Sequence, residues 1–255
     1  MATPRGAVRC VLIWFTSTGP TRAVNAKCCP MSSVVMKRML WLALLLLSGC
    51  AWAMSPTKAK LPYDSWRLGF LAPPYMEVWT EAAEVQDMDG RLFTHLESGT
   101  VAISYEGDTA GWPIHPGWGK GRYVTGANLP KRIAVRWQSL TEPQTYRAIL
   151  VIPESARQLM LTKAPPRNPL NQPAYREGIA IGLAPGGWVK VWVSGPVGDP
   201  VEILCMRAEI EPKGPYKGLS GGKYRPLTER AAPYAAAHTI PYDSWACPNS
   251  AGTPG

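Results

Sequence analysis

The sequence predicts a mainly β protein, a single β-sandwich-like domain of antiparallel strands with one or two short helices. Three observations carry that expectation. Gly and Pro supply 24 and 26 of the 255 residues, a density of turn formers that interrupts long helices. Short β-branched and aromatic runs recur between those turns. Several of the runs alternate with a period of two instead of 3.6. A hydrophobic share of 46% supplies enough apolar surface for a core.

The elements follow in chain order. Residues 75–85 form a weak strand candidate, and Asp89-Gly90, between Val85 and Leu92, suits a hairpin turn. Residues 100–105 are a second weak candidate. Residues 132–138 alternate, with Ile133, Val135 and Trp137 on one face. Residues 145–152 are apolar and β-branched towards their end. Glu154 to Leu161, after Pro153, reads as a helix. Residues 175–183 are another weaker strand. In 188–194, Trp188, Lys190, Trp192 and Ser194 share one face and Val189, Val191 and Val193 the other. Residues 201–210 read as one strand, best alternated in the second half. Residues 228–237 suit a helix with Thr228 as N-cap, limited by Pro233.

Charge places the basic excess at the front of the chain. Six of the 27 Lys and Arg fall in residues 1–49, which hold no Asp or Glu; the remaining 21 face 18 acids. A polybasic nucleic-acid footprint is therefore not expected. Met36-Lys37-Arg38 precedes nine apolar residues, 39–47, and then Ser48-Gly49-Cys50. Basic residues, a short apolar run and small residues are the order of an export signal. Nine helical residues rise about 14 Å, against ~30 Å of hydrocarbon, so the run is too short to span.

Leu47-Ser48-Gly49-Cys50 resembles a lipobox. That implies cleavage between Gly49 and Cys50, a diacylglyceryl group on the Cys50 thiol and an N-acyl chain on its amine. The alternative is an ordinary signal peptide cut near Ala51-Trp52-Ala53. Ala51 after the Cys points by analogy to the outer membrane, facing the periplasm. Residues 1–35 are expected to be an over-extended gene start, since Met31 and Met36 are better starts. Residues 36–49 are then the signal peptide, 50–60 a tether of about 35 Å maximal reach, 61–245 the β-rich domain and 246–255 a disordered tail.

Pro62-Tyr63-Asp64-Ser65-Trp66 returns as Pro241-Tyr242-Asp243-Ser244-Trp245. Both copies either pack their aromatics on the same fold or form a paired aromatic site. Cys205 and Cys247 either pair as a disulfide or remain a strand thiol and a tail thiol. His95, His115 and His238 lack metal-ligand spacing, so neither a metal nor a cofactor is expected beyond the covalent lipid. No G-x-S-x-G elbow occurs. Asp87-x-Asp89-Gly90 reads as a turn, and Glu77, Glu81 and Glu84 are acids that the fold alone can pair. Two loops suit recognition of protein or of anionic headgroups: 107–126 with Trp112, Trp118 and Tyr123, and 212–226 with Lys213, Lys217, Lys223 and Arg225 and no acid. Their alternative is a solvated loop whose aromatics cover the core edge.

These residues together resemble a family. The lipobox, Leu61-Pro-Tyr-Asp-Ser-Trp-Arg-Leu-Gly-Phe70, Gly121-Arg-Tyr-Val-Thr-Gly126, Val135-Arg-Trp-Gln138, Tyr175-Arg-Glu-Gly178, Gly182-Leu-Ala-Pro-Gly-Gly187, Pro212-Lys-Gly-Pro-Tyr216 and Ile240-Pro-Tyr-Asp-Ser-Trp245 are similar to bacterial lipoproteins grouped as domain of unknown function 2931. Pro233 and the Cys-bearing tail depart from that pattern. The resemblance implies an outer-membrane-anchored periplasmic lipoprotein that binds protein, an immunity protein against a type VI secretion lipase effector or a binder of another envelope protein. The alternatives are a structural envelope lipoprotein and an enzyme acting on envelope material.

Overall fold

The computed structural model describes residues 60–248 apart from Arg167, Pro169 and Asn171. The expected signal segment, the expected cleavage and lipidation position at Gly49/Cys50, the expected tether up to residue 59 and the residues from 249 lie outside the described residues. Thirteen strands are described: β1 Ser65–Leu71, β2 Val78–Asp87, β3 Leu92–Phe93, β4 Gly99–Thr100, β5 Lys120–Thr125, β6 Pro130–Ser139, β7 Gln144–Val151, β8 Lys163–Ala164, β9 Ala174–Tyr175, β10 Gly178–Ala184, β11 Trp188–Ser194, β12 Val201–Arg207 and β13 Glu209–Ile210. Two helices, α1 Glu154–Leu161 and α2 Ala232–Ala237, accompany them. The protein is mainly β.

The first sheet runs β12-β11-β10-β1-β5 and the second β13-β7-β6-β2-β3, with β4 also on β2. Their inner faces share one apolar core. Val189, Val191 and Val193 come from one sheet; Ile133, Val135 and Trp137 come from the other. Burial of these alternating positions is the main stabilising term. β8 and β9 form a small separate ladder.

Several expectations are corrected. The sheets are not wholly antiparallel, because β1 pairs with β10 in parallel. More than a hundred residues lie between these strands, so no hairpin fixes their direction. The expected strand 201–210 breaks at Ala208, whose N–H donates to Gly187 O at 2.7 Å. Its first part joins β11 and its last two residues join β7, so the chain changes sheets there. Thr228 is not an N-cap: α2 starts at Ala232, and no side chain caps it. Residues 107–126 are not all loop, since β5 occupies their last third. The tail is fixed at its start, where Cys247 is bonded to Cys205 on β12.

The turn reading of Asp87-x-Asp89-Gly90 holds. β2 and β3 pair as a hairpin, and Gly90 takes φ +81°. The fully buried Asp87 carboxylate accepts the backbone N–H groups of Asp89, Arg91 and Asn128 and pairs with the Arg91 guanidinium at 2.8 Å.

This hairpin marks one end of the sandwich. The first described residues arrive at the same end: Trp66 Nε1 donates to Asn128 O at 3.2 Å, and Tyr63 OH to Met160 O at 3.2 Å. The opposite end of β2, at Trp79, lies about 25 Å away at ~3.3 Å per strand residue. There the second pentapeptide copy does something different. Trp66 enters the main core at the start of β1. Trp245 ends a 3-10 turn and is buried in a separate cluster with Met76 and Ala184. The two copies therefore pack rather than form one paired site.

Candidate functional site

The outer face of the first sheet is covered. Trp112 and Trp118 are half-buried, and the loop that bears them lies across glycines. A Cβ on Gly69 would stand 1.8 Å from Trp118 O, and one on Gly182 would stand 2.4 Å from Trp112 Cζ3. Trp112 also meets Trp192 edge-on, with centroids 5.7 Å apart. Its Nε1 donates to Trp245 O at 3.0 Å, while Trp245 Nε1 donates to Gly111 O at 3.1 Å. Both tryptophans therefore serve as a lid on the sheet. Tyr123 sits on the edge strand β5, 54% exposed, with the Arg67 guanidinium 5.7 Å from its ring centre.

The outer face of the second sheet is only partly covered. Residues 211–230 cross its distal end as a strap. Three buried side chains hold this strap by its backbone. Glu81 accepts the Tyr216 N–H at 2.7 Å. Gln138 Oε1 accepts the Arg225 N–H at 2.9 Å, and Glu77 accepts the Thr228 N–H at 2.8 Å. Glu77 also accepts the Thr228 and Tyr105 hydroxyls. Burial, and then this carboxylate, push the Tyr105 phenol above its ordinary pKa. Glu81 is further tied to Arg136 at 2.6 Å and to Gln138 Nε2 at 2.9 Å. Two of the three acids singled out in the sequence thus act as amide acceptors. No sequence signal pairs them with residues 135 and 151 positions away.

The strap's side chains are arranged accordingly. The Arg225 guanidinium lies 4.0 Å from the centre of the Trp79 ring, and Arg230 lies 4.1 Å from that of Tyr105. The Trp79 contact engages the Arg225 guanidinium although the residue itself stays exposed. Lys213, Lys217 and Lys223 are exposed and have no carboxylate partner among the described residues. Tyr216, Lys217 and Gly218 take φ of 51°, 55° and 89° in succession. A left-handed residue other than Gly costs about 1 kcal/mol, so the Glu81 contact holds a strained turn. That turn presents Leu219, 90% exposed.

Beside the strap, the same face opens into a cleft of about 490 Å³. Ala82, Glu84, Ala134, Arg147, Ile149 and Lys217 are among its lining residues. Alanines at 82 and 134 leave the depth. Arg147 is paired with Glu209 across the rim at 3.1 Å. Glu84 therefore faces a mixed, open surface, and neither Glu77 nor Glu81 reaches it as a free acid.

Among the described residues, no group of three or more His, Cys, Asp or Glu side chains is placed to hold a metal ion. No helix among them is long and apolar enough to cross a membrane. His95 lies beside Thr94 Oγ1, and His238 stacks on Tyr234. Cys50, the expected lipidation residue, is outside the described part.

A family model described as "Protein of unknown function (DUF2931)" matches residues 53–243. No curated protein and no solved structure matches the chain. The match takes in both sheets and the strap, and the chain belongs to the DUF2931 family.

Proposed function

We propose that this chain is an envelope lipoprotein that works as a protein-binding module. It is anchored in the outer membrane by the acylated Cys50, faces the periplasm, and has a secreted lipase effector as partner, in the manner of an immunity protein. The strap carries the reading. Buried acceptors grip it through its amides, which fixes its shape and leaves the outward side chains uncommitted. A loop fixed before binding loses little freedom in the complex. Leu219 supplies an apolar anchor, Lys213, Lys217 and Lys223 a cationic rim, and the cleft a recess for a partner side chain.

Two further observations support this reading. The strap lies about 25 Å along β2 from the end at which the first described residues pack, so the entering chain does not run through it. The Cys205–Cys247 disulfide suits an oxidising compartment such as the periplasm.

The test is to mix the purified protein with a type VI phospholipase effector from the same genome. A one-to-one complex and loss of phospholipid hydrolysis are expected. Lys217→Glu together with Leu219→Asp should weaken the complex by about tenfold or more while thermal unfolding stays unchanged. Full lipase activity in excess protein, with no complex in light scattering, overturns the proposal.

A further inference from the structure

We infer that the cleft on the second sheet receives an arginine side chain of the partner and that Glu84 is the residue that recognises it. This rests on the reading of that face as a protein-binding surface and goes further by naming the side chain received. Charge accounting singles out Glu84. Glu81 is paired with Arg136 at 2.6 Å and Glu209 with Arg147 at 3.1 Å. Glu211 lies 3.8 Å from Arg147 and accepts the Lys213 N–H. Both arginines that line the cleft are therefore engaged by other acids. Glu84 has no hydrogen bond or ion pair among the described residues, and Arg132, diagonal to it on β6, does not pair with it. Lys217, on the strap side of the same cleft, is likewise without a carboxylate. The cleft thus holds two uncommitted charges of opposite sign, the negative one on the sheet and the positive one on the strap.

Register supplies the surroundings. Glu84 stands opposite Ala134 on β6, and Ala134 stands opposite Ile149 on β7. Ala82, two residues back on β2, shares the face. These three line the cleft, and Ile149 is 59% exposed. The floor is therefore short and aliphatic, with a free carboxylate beside it. A partner that closes over the cleft takes that carboxylate out of water. An aliphatic side chain would leave the charge unmatched, and an unpaired buried carboxylate is strongly unfavourable. A partner carboxylate would add repulsion. A cation on an apolar stem meets both demands, with its stem along the alanines and Ile149 and its head on Glu84. Arginine fits better than lysine. Its planar guanidinium engages both carboxylate oxygens, and it is the more weakly hydrated cation. The volume of about 490 Å³ admits so long a side chain.

The experiment has two arms. In the first, the isotope-labelled full chain is titrated with acetyl-arginine amide at tens of millimolar, and in parallel with acetyl-norleucine amide and acetyl-glutamate amide. Saturable amide shifts at Glu84, Ala134 and Ile149 are expected with the arginine probe alone, and Glu84→Gln should abolish them. An equal response to the norleucine probe, or none to the arginine probe, overturns the inference. The second arm uses the type VI phospholipase effector from the same genome. Glu84→Gln, which removes the charge, and Ala134→Leu, which fills the floor, should each weaken the complex by about tenfold or more with thermal unfolding unchanged. A complex that both variants leave at full strength overturns the inference while the proposed function stands. Absence of any complex with the unaltered protein overturns the proposed function, and the first arm then decides the inference by itself.

Discussion

The two outer faces of this sandwich are closed by different physics. On the first sheet, glycines let a tryptophan loop settle onto the strands, and the fit is one of shape. On the second, three buried polar side chains hold a strap by its amides, and the fit is one of hydrogen bonding. Shape closure fixes the side chains of the covering segment, because Trp112 and Trp118 are themselves the contact. Amide closure does not. Every residue but proline has the same N–H, so the strap can keep its path while its side chains serve something else. A segment built to recognise a partner is expected on the second face.

The sharpest way to break this comparison is to add one carbon to the shape-closed face. Gly69→Ala would bring a Cβ within 1.8 Å of Trp118 O, a backbone oxygen of the tryptophan loop. A loss of about 4 kcal/mol or more is expected in urea unfolding, because backbone cannot rotate away as a side chain does. A loss below ~1 kcal/mol would mean that the lid is loose and the contrast is wrong. Next comes the clasp. Cys205→Ser with Cys247→Ser opens a closure spanning 42 residues and should cost about 3–4 kcal/mol by denaturant unfolding, through the freedom returned to the unfolded chain. Hydrogen exchange should quicken around Trp245 and at its Gly111 and Trp112 partners, while the strap, held by its own buried acceptors, keeps its protection. Smaller again is Glu81→Gln. It removes the charge paired with Arg136 and weakens the acceptor of the Tyr216 amide, for about 2 kcal/mol. Its signature is local, with faster proteolysis around Gly218–Gly222 and slower change elsewhere. Uniform loosening of both faces would show that the strap is not a separate unit.

Much of the fold was legible in the sequence, and the residues show why. β6, β7 and β11 alternate because one side faces a common core, and α1 follows Pro153 as expected. β1 and β5 were hidden because Gly69 and Gly121 stand where a strand pattern needs side chains; Gly69 is demanded by the tryptophan loop packed on it, Gly121 by the close approach of β1. The sheet change at Ala208 was hidden because β12 and β13 share one run of strand-forming residues. In the site, the strap's cations were visible as a charge run. Their rigidity was not, since it comes from Glu77, just before β2, and from Glu81 and Gln138 on β2 and β6, all far earlier in the chain. Trp112 and Trp118 were conspicuous for size, yet their burial depends on glycines in β1 and β10 that carry no signal of their own.

The clasp has a consequence for biosynthesis. Cys205 emerges before the strap has been made, whereas Cys247 follows every strand of both sheets. The bond can therefore close only on a chain in which every described strand has already been made. Until then Cys205 is an unpaired thiol on an edge strand. Disulfide formation here works as a completion mark: a chain arrested within the strap keeps a reactive thiol, and a finished one hides it.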